Sequence, residues 1–193
     1  AKTQDDALGE ALDKAARMLG LGYPGGAILE IMAKQGNPKS YPLPLPMARS
    51  ENKNAFSYSG LKTAFWRLTN EMGDLTKQQI YDLAASFQNR AFQHLIKVLN
   101  NSLLHLPLSL RGRTLMVGGG VAANVELRKR LRKMGKELGL IVRFPYSSKL
   151  IGDNAAMIGI TAGFKIQDSR FNKIDVNSVD RRPRWSVEEI SYS

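Results

Sequence analysis

A run of three glycines, Gly118 to Gly120, follows the β-prone stretch Thr114 to Val117 and precedes a helix-prone segment from about Ala123 to Leu138. Strand, glycine turn and helix in that order let a phosphate or nucleotide come close to the backbone. Glycine has no Cβ to stand in the way, and the unpaired N–H groups of a helix start point outward at the positive end of its dipole. Asn124 stands at the mouth of that helix, where its amide can cap the backbone or contact a ribose or base. The stretch is neither a dinucleotide fingerprint nor a P-loop, since no Lys-Ser/Thr follows, and a tight turn without a ligand fits it equally well. Asp153 precedes another apolar segment and reads two ways: an N-cap, or a carboxylate that meets a metal or a metal-bound phosphate. Asp13 and Glu30 fall within helical registers. Taken alone, the first is a solvated carboxylate and the second a carboxylate favourably placed in the first turns of a helix. His94 and His105 are the only histidines and have no carboxylate at ligand spacing, so neither reads as a metal ligand. With no cysteine, thiolate metal sites and disulfides are excluded.

These residues need a scaffold, and hydrophobic spacing supplies one. Asp6 to Leu19 reads as an amphipathic helix, with Asp5, Asp6 and Glu10 toward its positive end. Gly20, Gly22 and Pro24-Gly25-Gly26 break it, and a short helix runs from Ala27 to about Lys34, stopped by Gly36-Asn37-Pro38. The prolines between Ser40 and Asn54 hold an extended segment, read as a connector packed over the surface with a polyproline ligand for another domain as the alternative. Phe56 to Ser59 alternates as a short strand would; Ser59 can cap a helix from Gly60 to Asn70, on which Lys62 is expected to be exposed. Thr76-Lys-Gln-Gln79 is a capping box. It opens the longest helix, to roughly Leu104, with Ile80, Leu83, Ala84, Phe87, Ala91, Leu95 and Val98 as one apolar stripe. Leu140 to Phe144 is a second strand, and an apolar helix to about Ile166 follows Asp153-Asn154. Strand, helix, strand, helix implies a parallel crossover, which sets Asn124 and Asp153 at the carboxyl ends of adjacent strands, where α/β sheets hold ligands.

The chain carries 28 basic and 17 acidic residues, a net charge of +11, which favours a polyanionic partner. Arg128, Lys129, Arg130, Arg132, Lys133 and Lys136 are too many to bury and predict a basic helix face. Arg181, Arg182 and Arg184 cluster around Pro183 and Trp185 in a polar tail over residues 171–193, which touches RNA or packs back on the domain formed by residues 1–170. No apolar run approaches the length of a membrane helix, and the opening residues are no signal peptide. That opening lacks Met and enters a helix almost at once, as expected of a cut through a longer protein.

Four motifs in order carry a resemblance. Tyr23-Pro-Gly-Gly26, Phe56-Ser-Tyr-Ser-Gly-Leu-Lys62, Gly119-Gly-Val-Ala-Ala-Asn124 with Leu127-Arg128, and Asp153-Asn-Ala-Ala-Met157 strongly resemble the tRNA threonylcarbamoyladenosine transferases of the TsaD type and their mitochondrial relatives. The likeness runs from Asp5 to Trp185. It implies a helix-rich α/β chain that is the C-terminal part of a two-lobe fold of the actin/hexokinase/Hsp70 type (ASKHA), with a nucleotide cleft. The implied reaction moves threonylcarbamoyl from threonylcarbamoyl-adenylate to N6 of the adenosine adjoining the anticodon, in tRNAs reading codons that begin with A.

Residue by residue, the resemblance places Asp13, Gly26, Glu30 and Asn124 against the adenylate, the carboxylates on ribose hydroxyls, and makes Asp153 a metal ligand. A hard carboxylate suits one divalent ion per full-length subunit, iron or zinc. Arg128, Lys129, Arg132, Lys133, Arg181, Arg182 and Arg184 are the candidates for tRNA phosphates. Implied partners are tRNA, threonylcarbamoyl-adenylate, and a second copy or other modification proteins, in mitochondria or alternatively a bacterial cytoplasm. The chain departs from the family where Ile151-Gly152 replaces Cys-Thr before the metal-ligating Asp and where Ala27 replaces Pro. The family's His-x-x-x-His pair and Ser-Gly-Gly-His loop have no equivalent here, so the chain alone is expected to be inactive. A non-catalytic nucleotide-binding or scaffold module of the same fold is the competing expectation. Metalloprotease activity finds no His-Glu-x-x-His to support it.

Overall fold

The Thr76 hydroxyl accepts the Gln79 amide at 3.3 Å while the Gln79 side chain accepts the Thr76 amide at 2.8 Å, and the longest element of the molecule starts from this reciprocal cap. In the computed structural model, which describes residues 1–47, 55–106, 114–147, 150–151 and 155–167, that element is α4, Lys77–Leu104. Before it come β1 (Lys2–Thr3), α1 (Leu8–Met18), α2 (Gly26–Ala33), β2 (Ala55–Phe56) and α3 (Ser59–Met72). After it come β3 (Thr114–Met116), a 3₁₀ turn (Gly120–Ala123), α5 (Val125–Glu137), β4 (Ile141–Arg143) and α6 (Ala155–Gln167). The chain divides into two units, Ala1–Gly152 and Asp153–Ser193, and α6 is the described part of the second.

The expected single stripe on α4 is broader than its spacing suggests. Leu83, Ala84, Phe87, Ala91 and Val98 are buried, but so are Ala85, Ser86, Gln88, Phe92 and His94, because α1, α2, α3 and α5 all pack on this helix. The core includes Leu12 from α1, Leu29 from α2, Leu61 and Phe65 from α3, and Leu127 and Leu131 from α5. The Phe65 and Phe87 rings meet with centroids 4.8 Å apart. Each such side chain contributes about 1.5–3 kcal/mol by leaving water. Within the proline connector, Leu43 is buried and the Tyr41 amide donates to Ser86 Oγ, as expected of a segment laid over the surface.

Among the described residues both sheets are two-stranded and parallel: β1 with β2, and β3 with β4 in the register Thr114↔Ile141, Leu115↔Val142, Met116↔Arg143. The second pair is joined through α5, the parallel crossover that the order of elements predicts. The architecture is helix-rich α/β. Among the described residues no helix is long and apolar enough to cross a membrane.

The start of α3 departs from expectation. Ser59 does not cap it; the carboxylate of Asp5 does, accepting the Tyr58 amide at 2.8 Å, the Ser59 amide at 3.4 Å and the Ser57 hydroxyl. Asp5 and Asp6 therefore do not serve the helix they precede. The reason is the β1–β2 pairing, which carries Asp5 alongside Ser57. Lys62 is likewise not exposed: its side chain is only 17% accessible and pairs with Asp6, which Lys14 also reaches at 2.8 Å. Burial opposes the charge on both acids. Hydrogen bonds from Ser57, Tyr58 and Ser59 outweigh it at Asp5, and Lys14 and Lys62 do so at Asp6, so both carboxyls lie below their ordinary values.

His94 completes this corner. It is 1% exposed, lies against the edges of Phe56 and Tyr58, and its Nε2 accepts the Ser57 amide at 3.2 Å. That bond and the Asp5 cap draw Ser57 and Tyr58 out of the strand expected over Phe56 to Ser59. Burial, aided by Lys97 and opposed by Asp5, holds the His94 pKa below 6.5. The unfolded chain then binds a proton that the folded chain refuses, so the neutral ring's contribution is complete above about pH 6.5 and fades as pH falls below it. The melting temperature is expected to drop between pH 7 and pH 5, and His94→Gln, which keeps an acceptor for Ser57, should flatten that drop. An equal slope in both proteins counts against this assignment.

Candidate functional site

Asp13 sits half-buried on α1, and its Oδ1 accepts the amides of Gly25 at 2.9 Å and Gly26 at 2.7 Å. Those amides open α2, which has no capping side chain of its own, so the carboxylate stands at the positive end of that helix. The approach requires glycine. A Cβ on Gly25 would lie 2.2 Å from the Ala16 Cβ. Among the described residues Asp13 Oδ2 has no hydrogen-bond partner.

Glu30, further along α2, performs the same service for α5. Its Oε1 accepts the Val125 amide at 3.0 Å and meets Lys34 at 3.3 Å. Asn124 holds a further amide of that helix start: Oδ1 accepts the Leu127 amide at 3.0 Å, and Nδ2 donates to Gln88 Oε1 at 2.9 Å. Asn124 is 5% exposed and Gln88 7%. An open anion-binding helix start at α5 is therefore not what the structure builds, because Glu30 and Asn124 already hold the Val125 and Leu127 amides. A 3₁₀ turn that begins at Gly120 separates Gly118 and Gly119 from the helix, and Gly119 takes a positive φ of 86° to enter it. A Cβ on Gly118, Gly119 or Gly120 would meet nothing within 4 Å, so the glycine turn is open on its outer side.

These caps converge. Asp13, Gly26, Glu30 and Asn124 all line one cleft of about 260 Å³, formed by α1, α2 and the turn at Gly120, with Pro24, Ala27 and Val121 as apolar wall. Four positions spread over more than half the chain thus share one cavity. Its carboxylates can accept hydrogen bonds from hydroxyl donors, and the apolar wall can take a flat ring. Gln88, which locks Asn124 in place, was missed in the sequence; its signal is a polar residue on the buried side of α4.

The basic helix divides into two groups. Arg128 donates to the Ala122 carbonyl at 2.6 Å and lies 4.9 Å over the Phe144 ring; Arg130 reaches Glu126 and Asn89 and lies over Phe92. Both tie α5 to its neighbours. Lys129, Arg132, Lys133 and Lys136 are exposed, Arg132 also lying 5.2 Å over Phe144. Asp153, Arg181, Arg182 and Arg184 lie outside the described residues.

Among the described residues no group of three or more His, Asp or Glu side chains could hold a metal ion. The His94 Nε2 serves Ser57, and the His105 Nδ1 donates to the Asn101 carbonyl at 2.7 Å. The described residues alone therefore do not make up a site for the implied metal.

The TsaD family model, described as tRNA N6-adenosine threonylcarbamoyltransferase, matches residues 1–160. A protein of that name from Novosphingobium aromaticivorans is 43% identical over 192 residues, which is 98% of this chain and 51% of that protein. Others from Thermosynechococcus vestitus and Vesicomyosocius okutanii are 42% and 40% identical over 98% of the chain and 53% and 52% of their own lengths. The chain spans about half the length of the curated relatives it matches. It belongs to the TsaD family, that of the tRNA N6-adenosine threonylcarbamoyltransferases.

Proposed function

We propose that the protein to which this chain contributes transfers threonylcarbamoyl from threonylcarbamoyl-adenylate to N6 of the adenosine adjoining the anticodon in tRNAs reading codons that begin with A, and that the cleft between α1, α2 and the Gly120 turn holds the adenylate. In this reading the chain forms part of a two-lobe fold of the actin/hexokinase/Hsp70 type. One observation carries the site. Asp13 and Glu30 each commit one oxygen to a helix-start amide, which orients the carboxylate, and each presents the same cavity. A preorganised pair of acceptors suits the two hydroxyls of a ribose, and the wall of Pro24, Ala27 and Val121 suits the base.

In the transfer, N6 attacks the carbamoyl carbon, the new C–N bond forms, the C–O bond to phosphate breaks, and AMP leaves with the electron pair while N6 loses a proton. The described residues bind and orient; none is assigned to the reacting atoms. A divalent ion with Asp153 among its ligands belongs to the same reading, with that residue outside the described set.

The test uses the full-length protein with Asp13→Asn and Glu30→Gln. Both keep an oxygen for the helix-start amides but lose the charge. Charge-assisted hydrogen bonds are worth about 1.5–3 kcal/mol, so each variant is expected to bind a non-hydrolysable threonylcarbamoyl-adenylate analogue about 10- to 100-fold more weakly, with thermal stability little changed. Unchanged affinity would remove the adenylate from this cleft. Tight binding by a wild-type protein that modifies no tRNA would leave the non-catalytic nucleotide-binding module instead.

A further inference from the structure

The cations of the first unit are not evenly paired. Lys14, Lys34 and Lys62 each meet a carboxylate, and Arg130 meets Glu126. On the exposed side of α5, Lys129, Arg132, Lys133 and Lys136 make no salt bridge with any described residue, and neither does Lys97, which faces them from α4. Where α4 and α5 run together they enclose a groove of about 330 Å³. Lys97 lines it from the α4 side and Lys133 from the α5 side, over the apolar Ile96 and Met134. Glu137 is the one carboxylate among the described residues lining it, and Arg130, which also lines it, is held by Glu126.

We infer that this groove seats a stretch of tRNA sugar–phosphate backbone, with Lys97 and Lys133 as opposing phosphate ligands and Lys129 and Lys136 continuing the track along α5. The inference rests on the tRNA reading above and moves the contact away from Arg128, whose guanidinium is occupied by Ala122 and Phe144. Unneutralised lysines on both walls suit a linear polyanion that lies between them. A flat anionic bilayer would meet the outer ridge of α5 and could not enter the groove. The apolar floor accepts sugar carbons, and the two lining groups able to read a base edge are engaged, Gln93 Oε1 by Arg90 and the Arg130 guanidinium by Glu126 and Asn89, so the contact positions the tRNA without reading its sequence. Lys97 carries no mark in the sequence; only the packing of α4 on α5 brings it to the basic helix.

The experiment measures tRNA affinity of the full-length protein against salt concentration, for wild type, Lys97→Glu/Lys133→Glu and Lys97→Gln/Lys133→Gln, with Lys39→Glu as a charge reversal elsewhere. Loss of two phosphate contacts is expected to lower the slope of log K against log salt by about 1.4 to 1.8 in both double variants. Affinity at low salt should fall at least tenfold for the Glu pair and less for the Gln pair. Lys39→Glu should match wild type, and all variants should keep wild-type affinity for the adenylate analogue, which reports an intact fold. Unchanged slope and affinity in the double variants would overturn the groove assignment alone. Loss of an acidic protein partner with tRNA binding intact would overturn it too, in favour of a protein interface. A wild-type protein that binds no tRNA would overturn the proposed function as well.

Discussion

Gly36→Ala is expected to lower global stability by about 3 kcal/mol or more, a large effect for one methyl group. The glycine follows α2 and looks in the sequence like an ordinary helix stop. Its backbone has no need of a positive φ. What it provides is room: a Cβ there would lie 2.0 Å from the Tyr81 carbonyl oxygen, 2.3 Å from its carbon and 2.7 Å from the Asp82 amide nitrogen. All three are main-chain atoms in the second turn of α4, so no side chain can rotate aside. The segment cannot lift away cheaply either, since the Asn37 amide donates to Asp82 Oδ1 at 2.8 Å and the Tyr41 amide to Ser86 Oγ at 3.3 Å. Urea denaturation checks this through the midpoint at constant slope. Gly60→Ala is the companion: nothing lies within 4 Å of a Cβ there, so the helical alanine should be neutral or stabilise by up to about 1 kcal/mol. Similar midpoints for the two variants would mean that the close approach at Gly36 is not sterically tight.

The contrast between these glycines shows what a sequence displays and what it conceals. α4 is legible almost to the residue because its start is written locally, Thr76 and Gln79 closing each other's amides. The strands at Thr114 and Ile141 are legible because β-prone runs flank a helix of clear period. What is not legible is which group closes a helix start that lacks a local cap. Gly25 and Tyr58 precede α2 and α3 without offering a side-chain acceptor, yet a helix cannot leave its first amides unsatisfied. That deficit is itself a signal: some distant acceptor must arrive. Asp13 supplies α2, Asp5 supplies α3 and Glu30 joins Asn124 at α5. Read one at a time, these residues look like solvated acids on exposed faces. Only the resemblance singled out Asp13 and Glu30, and the fold explains why they share a cleft, since the caps that set α2 and α5 against α1 also form its walls. Gln88 and Lys97 escaped both routes, because their roles arise where α4 meets α5.

Asn124→Ala should destabilise the chain by about 2–4 kcal/mol, whereas Asn124→Asp should destabilise it less, because the α5 dipole offsets part of the cost of burying its charge. The alanine removes an N-cap, worth about 1 kcal/mol, and strands the buried Gln88 Oε1, which costs a further 1–3 kcal/mol. Aspartate keeps an oxygen for the Leu127 amide and adds a charge that the α5 dipole favours. Its other oxygen faces Gln88, whose amide can turn over to present Nε2, an atom with no partner among the described residues. Stability and ligand affinity should then separate. If the cleft holds an adenylate, the new carboxylate beside Glu30 repels the anionic part of the ligand, so Asn124→Asp should weaken binding of the adenylate analogue more than binding of uncharged adenosine. Alanine, by loosening the α5 start that forms one wall, should weaken both alike. Should aspartate destabilise as much as alanine, Gln88 does not turn over, and the Asn124–Gln88 pair is fixed by an interaction other than the two bonds that hold it here.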